Sequence, residues 1–439
     1  MTKISRLPLN DDGNGWSKIL PTRSPKPALQ TQIETDWVVI GGGFAGLAAA
    51  RRLATHRPND QIVLVEADVI GEGAQGRNSG FAIDVPHNVN SSMGALESAR
   101  SHTRLSRTAI AYLKASVDQF NIECDWDPAG KFHAAVSERG IHHVLEPTRI
   151  TLEALGEPYQ WLEGSELHDQ VGFTHFKAAL YTPGTVLVNP AALCRGLAES
   201  LPENVTLYEN TPVVEYTTKP TIQLETPTGR IHAKKLILTV NAFTGQFGHF
   251  KQSVMPFAVH ASLTRKLTES EQARLPGLKQ WGLTPANAFA GTTMRRTRDQ
   301  RILIRQNMQY APHLRTSDAR RNKVRALHQT LLSQRFPMLQ HIPMEFTWTG
   351  YIAVSQNGAP GFGQLLPDVY AAVCQNGVGL TRGTIGGLLA ADLACGIDNP
   401  LIAEFEALGT PQTLPPRPLL DAGAYIRLAW ELHKERSEA

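Results

Sequence analysis

The sequence predicts an α/β protein, a Rossmann-like nucleotide-binding domain interrupted by a second domain of mixed-sheet α+β type. Three observations predict it. Residues 36–67 read as strand, glycine-rich turn, alanine-rich helix and second strand. Some 300 residues later an apolar strand again runs into a glycine loop and a small-residue helix, over residues 368–394. The 439 residues exceed what one hydrophobic core usually covers, which calls for two domains or one interrupted by another.

Residues 1–35 contain Asp11-Asp12, several prolines and no apolar run. They read as an irregular extension laid over the fold, neither a signal peptide nor an anchor. The first regular element is the strand Trp37 to Ile40. Gly41, Gly43 and Gly46 follow as G-x-G-x-x-G, with Phe44 and Ala45 inside the motif, and Leu47 to Ala54 read as a helix. In such a unit the first glycine permits a tight turn, the second lets a pyrophosphate approach the backbone, and the third allows close helix–strand packing. The phosphates would sit on the helix N-terminus, where unpaired amides favour negative charge. "QIVLVEA" is a second buried strand leading to Glu66 and Ala67, and Glu66 stands twenty residues after Gly46, where a carboxylate can bond an adenosine ribose. NAD and FAD are both compatible with this much.

The totals exclude several classes. With 42% apolar and 19% charged residues the chain is an ordinary globular protein. A formal charge of +3 without a dense basic block speaks against nucleic acid or a membrane surface as partner. Cys124, Cys194, Cys374 and Cys395 lie far apart with no C-x-x-C pair, which argues against a disulfide framework, a zinc site or a dithiol motif. No metal ligand set is visible, and a cytoplasmic location is the default.

Further elements follow in order. Leu105, Ala109, Tyr112, Leu113, Ser116 and Phe120 recur at helical spacing. "GTVLVNPAAL" reads as a strand and following helix, and "NVTLYENTPVVEY" includes a strand around Val213 and Val214. In "AKKLILTVNAFTG" an apolar strand runs into Asn241-Ala242, and "QRILIRQNMQY" alternates as a strand of a covering sheet. "DVYAAVC" leads through "QNGVGLTRG" into a helix beginning around Thr384, and the C-terminal "AGAYIRLAWELHKERSEA" reads as a helix.

"GAQGRNSG", residues 73–80, resembles the loop G-A-S-G-R-N-x-G of the D-amino-acid-oxidase-like (DAO) flavoproteins, with Gln75 in place of serine. The segments at 184–193, 205–217, 233–245 and 348–394 are similar to that family in the same order. The resemblance implies a glutathione-reductase-like architecture binding FAD. Gln75, Arg77, Asn78, Ser79, Gly80 and Phe81 would pass close to the flavin, and Val213, Asn241 and Ala242 would lie near the adenine and pyrophosphate. Gly350, Gly377, Val378, Gly379, Leu380 and Thr381 would hold the isoalloxazine end, where a helix N-terminus stabilises the anionic reduced ring.

On this basis the FAD domain is assigned residues 30–90, 185–245 and 345–400, the substrate domain 91–184 and 246–344, with 1–29 an extension and 401–439 a helical tail.

The resemblance also implies the reaction: oxidation of a primary or secondary amine to an imine, then hydrolysis. Members acting on simple amino acids often carry a tryptophan-glycine-x-arginine-proline segment whose arginine clamps the α-carboxylate. "WTGYIAVSQNGAP" lacks that arginine and resembles the γ-glutamylputrescine oxidase branch, whose substrates present an amine on a longer chain. Arg295, Arg301 or Arg305 could compensate, and Arg305 is carried forward as a site residue together with His260 and Tyr351; His87 is weighed beside His260. The alternatives are a sarcosine-like N-methyl-amino-acid demethylase, a D-amino-acid oxidase, or a non-catalytic flavoprotein assembly factor. FAD is expected to be non-covalent, because residues 348–360 contain no cysteine and position 77 is arginine. The electron acceptor, O2 or another carrier, is left open.

Overall fold

The computed structural model describes residues 2–9, 11, 13–86 and 93–438; His87 lies outside them. The chain enters β1 (Gln32–Ile40), turns through the glycines into α1 (Phe44–His56) and continues to β2 (Ile62–Val65). After α2 (Met93–Gln119) and a run of shorter elements come β3 (Arg230–Leu238), β4 (Met255–Thr264), β5 (Thr293–Arg296), β6 (Ile302–Tyr310) and α3 (Asp318–Arg335). The chain closes with β7 (Met344–Val354), β8 (Val369–Val373), α4 (Gly379–Cys395) and α5 (Leu419–Lys434).

Among the described residues the strands form two large sheets. The first has β3, β1, β2 and Val205–Tyr208 in parallel order, with β8 also parallel to β3. Residues 37–40, 62–65, 236–238 and 369–373 of these strands are buried on both faces and are almost all apolar, as parallel strands between helices must be. The second sheet has the order β7, β4, β6, β5, Trp281–Pro285, Lys131–Ala135, Ala178–Thr182, Gln160–Glu163. A short pairing of Phe81–Ala82 with Val186–Leu187 lies in a separate two-stranded sheet.

Helix starts differ from the expected ones for a common reason. α1 begins three residues before Leu47, and α4 begins at Gly379 rather than near Thr384. Glycine has poor helix propensity, but here tertiary contact demands it. A Cβ on Gly387 would sit 2.0 Å from the Ala45 carbonyl oxygen, so α4 can lie on α1 only without a side chain there. The pair is pinned by Asp392, which accepts from Arg52 at 2.6 Å, meets His56 at 2.7 Å and takes Asn399 at 2.7 Å.

Several expected boundaries move. α2 starts at Met93, and its Leu105, Ala109 and Leu113 are buried in the cores of α1 and α4, so the helix packs on the nucleotide side although 91–184 was assigned to the substrate side. β7 pairs with β4 along its length, which places 344–354 in the second sheet rather than the nucleotide domain. Val213 and Val214 precede a strand that starts only at Glu215, after Asn210 at φ +49° has redirected the chain.

Residues 1–29 are not simply laid over the surface. Thr2–Lys3 pairs with Glu215 and Tyr216, and Trp16 is fully buried. The C-terminal helix is present as expected. Its Leu428 packs with Phe257, Met308 and Tyr310, and Tyr310 Oη donates to Asp421 at 2.7 Å. All four cysteines are buried free thiols. No single helix among the described residues is long and apolar enough to cross a membrane.

Candidate active site

The glycine turn between β1 and α1 opens an elongated groove. Gly41 has φ +103°, and a Cβ on Gly46 would stand 1.8 Å from the Gly41 carbonyl oxygen, so the first turn of α1 folds back onto the loop. Gly43 precedes the helix without a side-chain cap, which leaves the Phe44 and Ala45 amides for an anion. Glu66 is buried; its Oε2 accepts from the Gly42 amide at 2.7 Å and its Oε1 from Asp68 at 3.1 Å. Burial pushes its pKa up while those amides oppose. The carboxylate thus fixes the glycine turn, and each oxygen keeps a lone pair for a ribose hydroxyl.

Ala67, Gln75, Val213, Asn241 and Ala242 continue the wall of the groove, and Gly377 and Gly379 close its far end. Gln75 Nε2 and Gln375 Oε1, both buried in this wall, have no hydrogen-bond partner. A polar ligand that supplies one acceptor and one donor completes both groups. The residues present therefore fit an extended dinucleotide such as FAD: the α1 N-terminus would hold its pyrophosphate, Glu66 its ribose, and the loop at 73–81 with Gly377–Leu380 its ring end.

That loop is held from outside the family-like region. The Arg77 guanidinium is tied to the surrounding chain: Nε donates to Glu72 O at 2.6 Å and Nη1 to Asp11 Oδ1 at 2.5 Å and Thr349 O at 3.1 Å. Asp11 also accepts from the Thr349 amide at 3.2 Å, and Trp16 Nε1 donates to Asn78 O at 2.8 Å. Asn78 closes its own turn, accepting from Gly80 N at 2.8 Å. Arg6, Leu7, Pro8 and Leu9 border the groove directly. The N-terminal extension was read as irregular because its residues carry no periodicity; Asp11 was the one available signal, and its partners lie 66 and 338 positions away.

Not every expected residue lines a cavity. Gly46 packs on Gly41, and Gly80, at φ +77°, packs on Val188 O. Thr381 is buried behind Val378 and Leu380, which do border the cavity. Ser79, Phe81 and Gly350 border it as well.

The groove continues into a cavity of about 1180 Å³ roofed by the second sheet. Strand register decides which side chains enter it, because opposite residues of antiparallel strands share a face. Phe257, Val259 and Ala261 pair with Ile352, Gly350 and Trp348, and Ala261 pairs with Arg305; all of these but Trp348, which is buried in a cluster with Trp16 and Leu303, border the cavity. His260 and Tyr351 belong to the other set. The His260 ring is fully buried, with Nδ1 3.1 Å from Thr349 Oγ1, and burial lowers its pKa to about 4. Tyr351 Oη donates to Thr316 Oγ1 at 3.3 Å. The expectation for His260 is therefore corrected, whereas Tyr351, half-buried, borders both the groove and the cavity. The fully buried His260 ring lies beside His328 and Arg320 of α3. The pattern "MPFAVHASL" could not show this, since both faces of β4 are buried, and a register shift falls between Val259 and His260.

The three candidate arginines separate cleanly. Arg295 donates to Val188 O at 2.6 Å and lies 5.2 Å from the Trp16 ring, joining the two domains. Arg301 pairs with Asp299 and Glu345. Arg305 alone projects into the cavity, with Nη1 on Ala288 O at 3.1 Å. Burial lowers its pKa to about 10, so it remains a cation at neutral pH, and among the described residues no carboxylate pairs with it.

Residues 36–393 match the DAO family, described as FAD dependent oxidoreductase. The chain is 26% identical to gamma-glutamylputrescine oxidoreductase of Escherichia coli, covering 85% of this chain and 86% of the relative. It is 24% identical to the probable oxidoreductase OrdL of Haemophilus influenzae, over 90% and 91% of the two chains. Among solved structures, glycine oxidase from Geobacillus kaustophilus superposes with a TM-score of 0.71 at 20% identity, covering 87% of this chain and all of the other. That likeness supports the fold alone. The family match takes in both glycine segments and the second sheet between them: the chain belongs to the DAO family of FAD-dependent oxidoreductases.

Proposed function

We propose that this enzyme oxidises an amine to an imine, released for hydrolysis, and that its substrate carries a carboxylate well removed from the reacting C–H bond, as in a γ-glutamylputrescine-like amine. The observation that carries this reading is the position of Arg305. β7 touches the cofactor loop, where a Cβ on Gly350 would lie 3.4 Å from Arg77 Cβ. Arg305 is on β6, two strands further into the sheet, so its backbone stands about 10 Å from β7.

When bound, FAD supplies the hydride acceptor. The protein's part is to hold the carboxylate at Arg305, line the intervening space with Phe257, Val259, Ala261 and Ile352, and so orient the amine while excluding water. The cavity-facing position two residues after Gly350 is Ile352, which clamps no carboxylate beside β7. An α-amino acid, whose carboxylate sits next to the reacting carbon, cannot span the gap to Arg305. In this reading FAD would be held without a covalent bond, and O2 or another small acceptor would serve as the final oxidant.

The test compares kcat/KM for γ-glutamylputrescine and putrescine, which share the amine but not the carboxylate. A charge-assisted pair contributes about 2–3 kcal/mol, so the first is expected to be favoured roughly 30- to 150-fold. Equal rates, or a preference for sarcosine, would overturn the reading.

A further inference from the structure

The cavity has a second cation that the proposed reading leaves unused. Among the described residues that line it are four arginines, Arg77, Arg305, Arg382 and Arg427, and one carboxylate, Glu431. Arg77 is bound to Asp11 and Glu72, and Glu431 to Arg427 at 2.5 Å. Among the described residues no carboxylate lies within ion-pair distance of Arg305 or Arg382. A guanidinium withdrawn from water without a counter-charge is costly, and two facing one cavity point to an anionic ligand.

Arg382, near the start of α4, donates from Nη1 to Gly358 O at 3.2 Å and from Nη2 to His102 Nδ1 at 3.3 Å. Two of its five N–H groups are thereby used, and the others make no bond to the described residues. Because His102 Nδ1 accepts, its Nε2 carries the proton and is a donor. Burial, helped by Arg382, lowers the pKa of His102 to about 4, so the ring is neutral and that tautomer persists. Ser98 and Ser106 line the cavity from the same face of α2, four residues to either side of His102. All these groups offer donors, and among the described residues the one acidic side chain lining the cavity, Glu431, is already bound to Arg427.

We propose that Arg382 and His102 form a second carboxylate subsite, so that the preferred substrates are secondary amines bearing a carboxylate on each arm, one held by Arg305 and the other by Arg382. This rests on the amine-oxidase reading and narrows it: γ-glutamylputrescine would engage the Arg305 end alone, and an arm directed to the Arg382 wall is better received as a carboxylate than as a second ammonium.

The experiment uses the FAD-loaded enzyme and non-oxidisable probes. Dissociation constants for glutarate and adipate, and for butyrate and hexanoate as one-ended counterparts, are read from the perturbation of the flavin absorbance. The dicarboxylates are expected to bind at least about tenfold more tightly than their counterparts, the effect of one charge-assisted pair. Arg382→Met should erase the difference and leave the monocarboxylate constants within about twofold, while Arg382→Lys, which keeps the charge, restores part of it. Flavin content and thermal midpoint establish that both variants are folded. Equal binding of the two probe classes by the native enzyme, or a preference that survives in Arg382→Met, would overturn the subsite. Failure of the underlying reading has a different signature: Arg305→Met would leave binding of both probe classes unchanged.

Discussion

The nucleotide groove and the substrate cavity meet at Arg77 and Gly377 but are made of different material. The groove is largely backbone: turns and helix ends whose shape is set by glycines close together in sequence. The cavity is side chains from β4, β6, β7, α2, α4 and α5, selected by strand register and helix face over more than 300 positions. A groove of the first kind tolerates no added atoms. A cavity of the second kind tolerates substitution and changes its ligand.

The largest expected effect is therefore in the groove. Gly46→Val forces side-chain atoms into the Gly41 carbonyl, and Gly387→Val does the same against Ala45; either is expected to yield protein with no stoichiometric flavin, checked by the absorbance ratio of the purified protein. A variant that retained full flavin would mean that α1 can move off the loop, and the distinction would lapse. Next comes the cavity. Arg305→Met should raise KM for a carboxylate-bearing amine by roughly 30- to 150-fold, with kcat changed far less and flavin content unchanged. A loss confined to kcat would place Arg305 at the chemistry instead of at the anchor.

Smaller effects sharpen the boundary between the regions. Asp11→Asn removes the carboxylate from Arg77 and the Thr349 amide and leaves a buried guanidinium less compensated, at a cost of about 1–3 kcal/mol. It should accelerate flavin release, followed by fluorescence after dilution, and lower the thermal midpoint while sparing KM. His260→Gln should change kcat by less than about threefold, because the ring lies on the far face of the roof.

His260 and His328 instead contribute to acid stability. Both are fully buried, and burial lowers their pKa values from 6.5 to about 4 and about 3 respectively. Unfolded, each takes a proton near pH 6.5; folded, neither does. Stability is thus intact above about pH 6.5 and falls as the pH drops towards 4, by about 1.4 kcal/mol per ring per unit. The His260→Gln, His328→Gln double variant should flatten that limb in denaturant melts across this range; an unchanged slope would remove both rings from the account.

The same contrast explains what was legible in the sequence. Gly41, Gly43, Gly46 and Glu66 were readable because the turn, the helix and the acidic residue lie within one short unit with fixed spacing. The strand bearing Arg305 was readable from its alternation, but which face of it enters the cavity was not. His260 was chosen by residue type, and register turned its ring into the buried face. The N-terminal wall of the groove was invisible for a related reason: Asp11 acts through Arg77 and Thr349, and nothing local to Asp11 announces either. α5 was readable as a helix, but its place over the cavity depends on Leu428 meeting Phe257 and Met308.

The central claim is that this flavoenzyme oxidises an amine whose carboxylate is held far from the reacting bond. Anaerobic titration of the FAD-loaded protein, followed at the flavin's visible band, tests it most directly, with γ-glutamylputrescine, putrescine, sarcosine and several D-amino acids added in turn. The account predicts rapid bleaching by the amine with a distant carboxylate and slow or no bleaching by the others. Rapid bleaching by sarcosine or D-amino acids alone would contradict it, and a flavin band that no member of the panel bleaches would remove its support.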